Sequence, residues 1–359
     1  MTSPVRSDDH IRHKFPPTYD REARFILSGL FLLLLIIFIL DIFLGSVILR
    51  PQDVVRSLLS DTGSNIGTIV LKFRLPKAIT ALLVGIALSV SGLQMQTLFR
   101  NPMAGPDVLG ISSGASLGVA FVILGFSGTM TFESLHGSGT WSLVVASWLG
   151  AGAVMILIMF ITINVRDILT VLILGIMLAS GISAIVSIMQ YFSSESMLKA
   201  YVIWTMGSLG NLTSQQLQVL AISIMAGLIL SLLSVKMLNA LLLGENYAGS
   251  IGLNVRTARW LIFAGTSILT GSVTAFCGPI GFIGIAVPHI ARILFKTSDH
   301  RILIPSTILL GGTLMIASDI ISQLPGSGKV LPVNSVTSLI GIPVVVWVIL
   351  RNKKYSGIF

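Results

Sequence analysis

Apolar runs of about twenty residues recur from residue 25 to residue 351 and leave little room for anything else. A run of that length wound as a helix crosses a hydrocarbon core of roughly 30 Å. In lipid, each backbone N–H and C=O must be satisfied within its own segment, so such runs fold as helices. The expected fold class is therefore all-α, a polytopic membrane protein. Only 10% of residues are charged, against roughly a quarter in soluble domains.

Polar breaks place spans near 25–49, 77–99, 106–126, 141–164, 167–191, 216–239, 257–277, 281–295, 301–323 and 330–351, ten transmembrane helices in all. An even number puts both termini on one side, and the distribution of Lys and Arg selects which. With both ends inside, sixteen of the 23 Lys and Arg fall on inner loops and tails and seven on outer ones. Both termini are then cytoplasmic, as is the polar stretch "LGENYAGSIGLNVRTAR" from Leu243 to Arg259. Residues 1–24 and 352–359 are expected to form cytoplasmic tails around a transmembrane domain over 25–351. The first run is too long for the apolar part of a signal peptide and stays as a span.

The net charge of +9 arises from basic residues at the ends of apolar runs, without interleaved aromatics, so nucleic acid is not an expected partner. Cys277 alone makes neither a disulfide nor a metal site and reads as a small buried residue. "NLT" at Asn211 fits a glycosylation sequon, a pattern frequent by chance. Small residues at every fourth position (Gly110, Gly114, Gly118; Ala81, Gly85, Ser89; Ser267, Gly271, Ala275) mark expected helix-to-helix seams.

Chemistry is sparse. Asp41 and Asp319 stand late in their spans, where a carboxylate caps or snorkels. His289 in "AVPHIAR" has no second ligand at metal spacing. No serine, histidine and acid set and no H-E-x-x-H pair is visible, so catalytic and metal residues are not expected. "PGSGKV" fails as a phosphate loop, because Gln323 replaces its first glycine and Val330 its Ser/Thr. Without a nucleotide site or deep coupling carboxylates, energy has to arrive from outside, and the polar stretch offers the port: one short helix across the membrane face, a turn at Gly252, and a second short segment leading to Arg259.

Four stretches in order, "RLPKAITALLVGIALSVSGLQMQTLFRNPMAGPDVLGISSGASLG" from Arg74, "GPIGFIGIAVPHIARIL" from Gly278, "TSDHRILIPSTILLGG" from Thr297 and "LPVNSVTSLIGIPVVVWVIL" from Leu331, resemble the FecCD-type permeases of bacterial ABC importers for ferric siderophores, haem and vitamin B12. The resemblance covers nearly everything from Phe25 to Arg351. It implies a type II importer permease in the bacterial cytoplasmic membrane, paired with a second copy or a close paralogue. It also implies a dimer of separate ATPase subunits holding ATP and magnesium, and an extracytoplasmic binding protein; this chain itself binds no cofactor. Leu243, Gly244, Glu245, Ala248 and Gly252 match the family's coupling motif within 243–256, with Gly249 beside them. Small residues at Ala248 and Gly249 would then permit close approach by the ATPase, and Glu245 would pair with one of its basic groups. Arg50, Arg56 and Lys329 are candidates for binding-protein docking, and Asn334 and Ser335, where relatives often carry a glycine, for the substrate path. The expected cargo is a ferric siderophore, with haem or cobalamin as the alternative. An ion-coupled secondary transporter, relying on Asp319 or Asp41, is the reading from another class.

Overall fold

A computed structural model describes residues 17–59, 64–125, 139–165, 167–210, 212–325 and 328–352. The tail expected over 1–24 lies outside the described residues as far as residue 16, as do residues 353–359 of the other tail, the sequon asparagine Asn211, and Gly326 and Ser327 of "PGSGKV". The described chain is helical throughout: α1 (Pro17–Phe43), α2 (Pro51–Leu59), α3 (Asn65–Thr68), α4 (Leu75–Leu98), α5 (Ile111–Ile123), α6 (Gly139–Asn164), α7 (Ile168–Tyr191), α8 (Glu195–Thr205), α9 (Ser214–Leu233), α10 (Val235–Leu241), α11 (Glu245–Ser250), α12 (Val255–Cys277), α13 (Ile283–Phe295), α14 (His300–Ser322) and α15 (Val333–Asn352). A π-turn over Ile69–Arg74 joins α3 to α4.

Seven segments are long and apolar enough to cross a membrane, and three shorter apolar helices, within α5, α13 and α15, bring the number to ten. The differences from the expected spans have local causes. The first helix already includes residues 17–24 of the expected tail. The third span divides at Gly110, whose φ of 74° ends a 3-10 turn over Pro106–Leu109 before α5 starts. The sixth breaks at Ser234 into α9 and α10. α8 had no counterpart among the apolar runs, since Glu195 and Lys199 make it polar.

Burial sorts the helices. Of the α4 window 78% is buried, of α12 67%, but of α1 only 17%. The inner helices are the more polar ones: Ser89, Ser91, Gln94, Gln96 and Thr97 of α4 and Thr266, Thr270 and Thr274 of α12 are all buried. Lipid offers no hydrophobic drive between helices, so backbones meet through small residues and polar side chains bond across the seam. Thr266 Oγ1 donates to Gln94 Oε1 at 3.0 Å, Thr270 Oγ1 to Ser91 Oγ at 3.2 Å, and Ser89 Oγ to the Thr307 carbonyl at 2.8 Å.

Two of the expected small-residue ladders are such seams. A methyl group on Gly85 would overlap the Gly311 carbonyl of α14, and one on Gly114 or Gly118 the carbonyls of Gly150 or Ala146 in α6. The ladder through Gly271 is looser: the nearest atom to a Cβ there is that of Ala151 at 3.6 Å, ordinary contact. A further close approach brings Gly92 of α4 against the Gly284 carbonyl of α13. That carbonyl has no intrahelical donor, because the residue four further on is Pro288. A bare Cα is what lets α4 lie over it.

Candidate functional site

The polar stretch lies at one end of the bundle. Arg100, just beyond the C-terminus of α4, sits beside Gly244, while Lys77 at the start of α4 belongs to the opposite end. Leu243 leads into Gly244, whose φ of 99° turns the chain into α11. α11 ends at Gly252, φ 89°, in a Schellman cap: Leu253 N–H donates to the Ala248 carbonyl and Gly252 N–H to that of Gly249, each at 3.0 Å. One short helix and a turn are thus present, but the expected second segment is the beginning of α12.

Inside this stretch two side chains close on each other. Arg259, on the first turns of α12, donates from Nε to Glu245 Oε1 at 2.8 Å and from Nη2 to Oε2 at 2.5 Å, and from Nη1 to the Val165 carbonyl at 3.1 Å. Glu245, expected to meet a basic group of another subunit, already has both carboxylate oxygens engaged within this chain by a two-pronged guanidinium contact. Ala248 is likewise fully buried within the chain, so its small size serves packing against α10 and α12. What faces outward is apolar: Tyr247 and Ile251, four residues apart on α11 and its cap, and Leu243 before the Gly244 turn, each at least half exposed, with Gly249 and Gly252 open beside them.

Hydrogen bonds carry this end into the spans. Asn239 of α10 donates from Nδ2 to Asp299 Oδ1 at 2.6 Å, and its Oδ1 accepts the His300 N–H at 2.9 Å. Both ends of the amide being fixed, the His300 Nδ1 lying 2.7 Å from Asn239 Oδ1 carries a proton, and Nε2 lies 2.8 Å from the Thr97 hydroxyl, which donates to the Leu93 carbonyl at 2.9 Å. One residue before Thr97 in α4, Gln96 accepts from Arg292 of α13, and its Nε2 donates to the Ile285 carbonyl at 3.1 Å. Beyond α6, Asp167 caps α7, accepting from Thr170 Oγ1 at 2.8 Å. The Thr170 hydroxyl first, and the Leu169 N–H next, hold that carboxyl below its ordinary value.

At the opposite end Arg50, Arg56 and Lys329 are all exposed. The loop carrying Lys329 is tied to the turn after α1 by Gly328 N–H to the Ser46 carbonyl at 3.3 Å. Asp41 and Asp319, read as caps or snorkelling groups, are instead buried together: Lys77 Nζ lies 2.9 Å from Asp319 Oδ1, and Gln323 Nε2 bridges Asp319 Oδ2 at 2.9 Å and Asp41 Oδ1 at 3.1 Å. Carboxylates this deep are retained only with partners, and these link α1, α4 and α14. Arg74, an expected outer charge, is buried too, donating to the carbonyls of Ile42, Phe43 and Val47.

Asn334 knits three connections. Its Oδ1 accepts the Gly281 N–H at 3.0 Å and its own N–H reaches the Met206 carbonyl at 3.3 Å, while Ser335 is exposed. His289 Nε2 meets the Pro102 carbonyl at 2.8 Å. Sequence reasoning missed Tyr247, Ile251 and the role of Arg259. The four-residue interval between them was the available signal for the first two; Arg259 depends on where α12 stands.

Residues 33–351 match the FecCD transport family. The chain is 35% identical to the hemin transport system permease protein HmuU of Yersinia pestis, over 92% of its own length and 96% of that protein. It is also 35% identical to the vitamin B12 import system permease protein BtuC of Klebsiella pneumoniae, over 93% and 96%. Among solved structures, "An inward-facing conformation of a putative metal-chelate type ABC transporter" superposes with a TM-score of 0.78 at 29% identity, over 91% of this chain and 99% of that one. Both the sequence matches and the helical architecture assign the chain to the FecCD transport family, as a multi-pass permease subunit of an ABC importer.

Proposed function

We propose that this permease draws its energy from a separate dimer of ATPase subunits, holding ATP and magnesium, which docks on the α11 end. The carrying observation is the apolar surface of Leu243, Tyr247 and Ile251, held rigid by Gly244, the Schellman cap and the Glu245–Arg259 clamp. An exposed apolar patch on an otherwise polar face marks a contact surface, and a clamped short helix passes a push to α12 as a rigid lever. On this reading the α11 end and both termini are cytoplasmic, in a bacterial cytoplasmic membrane. A second copy or close paralogue completes the path, and a binding protein delivers cargo at the far end near Arg50, Arg56 and Lys329, with Asn334 and Ser335 by the path.

The cargo we infer is a metal chelate carried inward by alternating access, a ferric siderophore first. Haem or cobalamin is the second reading, favoured by the similarity to permeases named for hemin and vitamin B12. Secondary transport is less well supported, since Asp319 is already paired with Lys77.

The test is co-purification in mild detergent with and without crosslinking, comparing the normal chain with Tyr247→Ala/Ile251→Asp. A subunit bearing a Walker A motif should accompany the first and be lost from the second. Its absence from the normal chain after crosslinking overturns the coupling reading. Uptake of ferric siderophore, hemin and cyanocobalamin into proteoliposomes of the assembled complex then ranks the cargo.

A further inference from the structure

One face of α9 is apolar and exposed along its length, through Ile222, Met225, Ile229, Leu232 and Leu233, at spacings that keep these residues on one side of the helix. At the α11 end this stripe runs into a groove of about 520 Å³ between the α9–α10 junction and the first turns of α14. Leu232, Leu233, Ile304 and Pro305 form its apolar wall, and Lys236 and Arg301 its charged lip. Both cations are exposed, and neither is in an ion pair among the described residues. The neighbouring acid, Asp299, has Oδ1 engaged by Asn239 Nδ2 and the Arg301 N–H.

We propose that this groove is a binding site for one anionic phospholipid of the leaflet on the α11 side. Its phosphate sits between Lys236 and Arg301, and an acyl chain follows the stripe of α9. A soluble anion would gain nothing from the leucine wall, and a zwitterionic lipid would meet two cations with no net charge to offset them. The combination of an apolar trough opening towards lipid with paired cations at its interfacial end selects a molecule having both parts. Each basic residue at a membrane surface enriches anionic lipid by about fivefold, so the pair predicts a preference of ~25-fold at low salt. The site is independent of the transport reading, since it concerns the isolated permease without ATP or cargo.

Native mass spectrometry tests it on the full chain, delipidated and returned to micelles doped with phosphatidylglycerol or phosphatidylcholine of the same acyl chains. Phosphatidylglycerol should be retained about 25-fold more; Lys236→Gln/Arg301→Gln should bring the two lipids to parity, Leu233→Gln should weaken both, and Lys236→Arg should keep the preference. Equal retention of both lipids by the normal chain, or an unchanged preference in the double variant, overturns the site. Displacement by soluble glycerol phosphate would show an anion site without a lipid. In native membranes a photocrosslinker at position 233 should label lipid; a labelled second copy or ATPase subunit would assign the groove to protein.

Discussion

Glu245 and Arg259 meet through two parallel contacts, Nε to Oε1 at 2.8 Å and Nη2 to Oε2 at 2.5 Å, joining α11 to α12 across fourteen residues. Arg259 is nearly buried and Glu245 partly exposed, so removing the carboxylate takes the two-pronged anionic partner from a nearly buried cation. Glu245→Ala should cost about 2 kcal/mol. The exchanged pair Glu245→Arg/Arg259→Glu should recover part of that cost, and a double-mutant cycle on thermal melting reads the coupling directly.

The paired acids at the other end behave differently. Asp319→Asn leaves Lys77 near a neutral amide in a site where Asp319 was 1% exposed, and should destabilise by about 3 kcal/mol. Replacing both, Lys77→Met with Asp319→Leu, should be milder than the single change. If the protein is ATP-driven, Asp319→Asn proteoliposomes that fold will keep nucleotide-linked uptake, while a proton-coupled carrier would lose its pH-dependent uptake.

Gly85→Val should be poorly tolerated, because its side chain would enter the Gly311 backbone. Overpacking of this kind costs about 1–3 kcal/mol. Gly152→Val, where nothing lies within 4 Å, is the matched control, and the ratio of monodisperse protein recovered from the two measures the seam.

Asp167 supplies a pH dependence. Its carboxyl titrates below its ordinary 3.8 in the folded chain, through the Thr170 and Leu169 hydrogen bonds. A depressed folded value means the contribution is fully present above 3.8 and is lost as pH falls through the folded value. The melting-temperature difference between the normal chain and Asp167→Asn should therefore be constant near neutrality and shrink below about pH 4.

The spans were legible because lipid makes length and hydropathy decisive, and the ladders through Gly85 and Gly114 because close backbone approach leaves only small residues standing. α8 was not, since an eleven-residue helix with Glu195 and Lys199 has no apolar run to announce it. That the stretch from Leu243 to Arg259 interrupts the spans could be read from its polarity, but its outward face could not. Glu245 looked available in sequence and is engaged in space; Tyr247 and Ile251 looked incidental and are the exposed surface. Asp41 and Asp319 lie 278 positions apart, and only the packing of α1 on α14 brings Gln323 between them. Such pairings depend on helix neighbours, which hydropathy does not encode.

Arg74 has a bearing on the order in which the molecule is built. Its guanidinium takes up the carbonyls of Ile42 and Phe43 at 2.9 and 2.8 Å, groups that the end of α1 leaves without donors of its own. The residue that completes the first helix is thus translated 31 positions after Phe43. Without the segment leading into α4, those two carbonyls at the far end of α1 would depend on water for their bonds. The first span is thus closed by a side chain that belongs to the second.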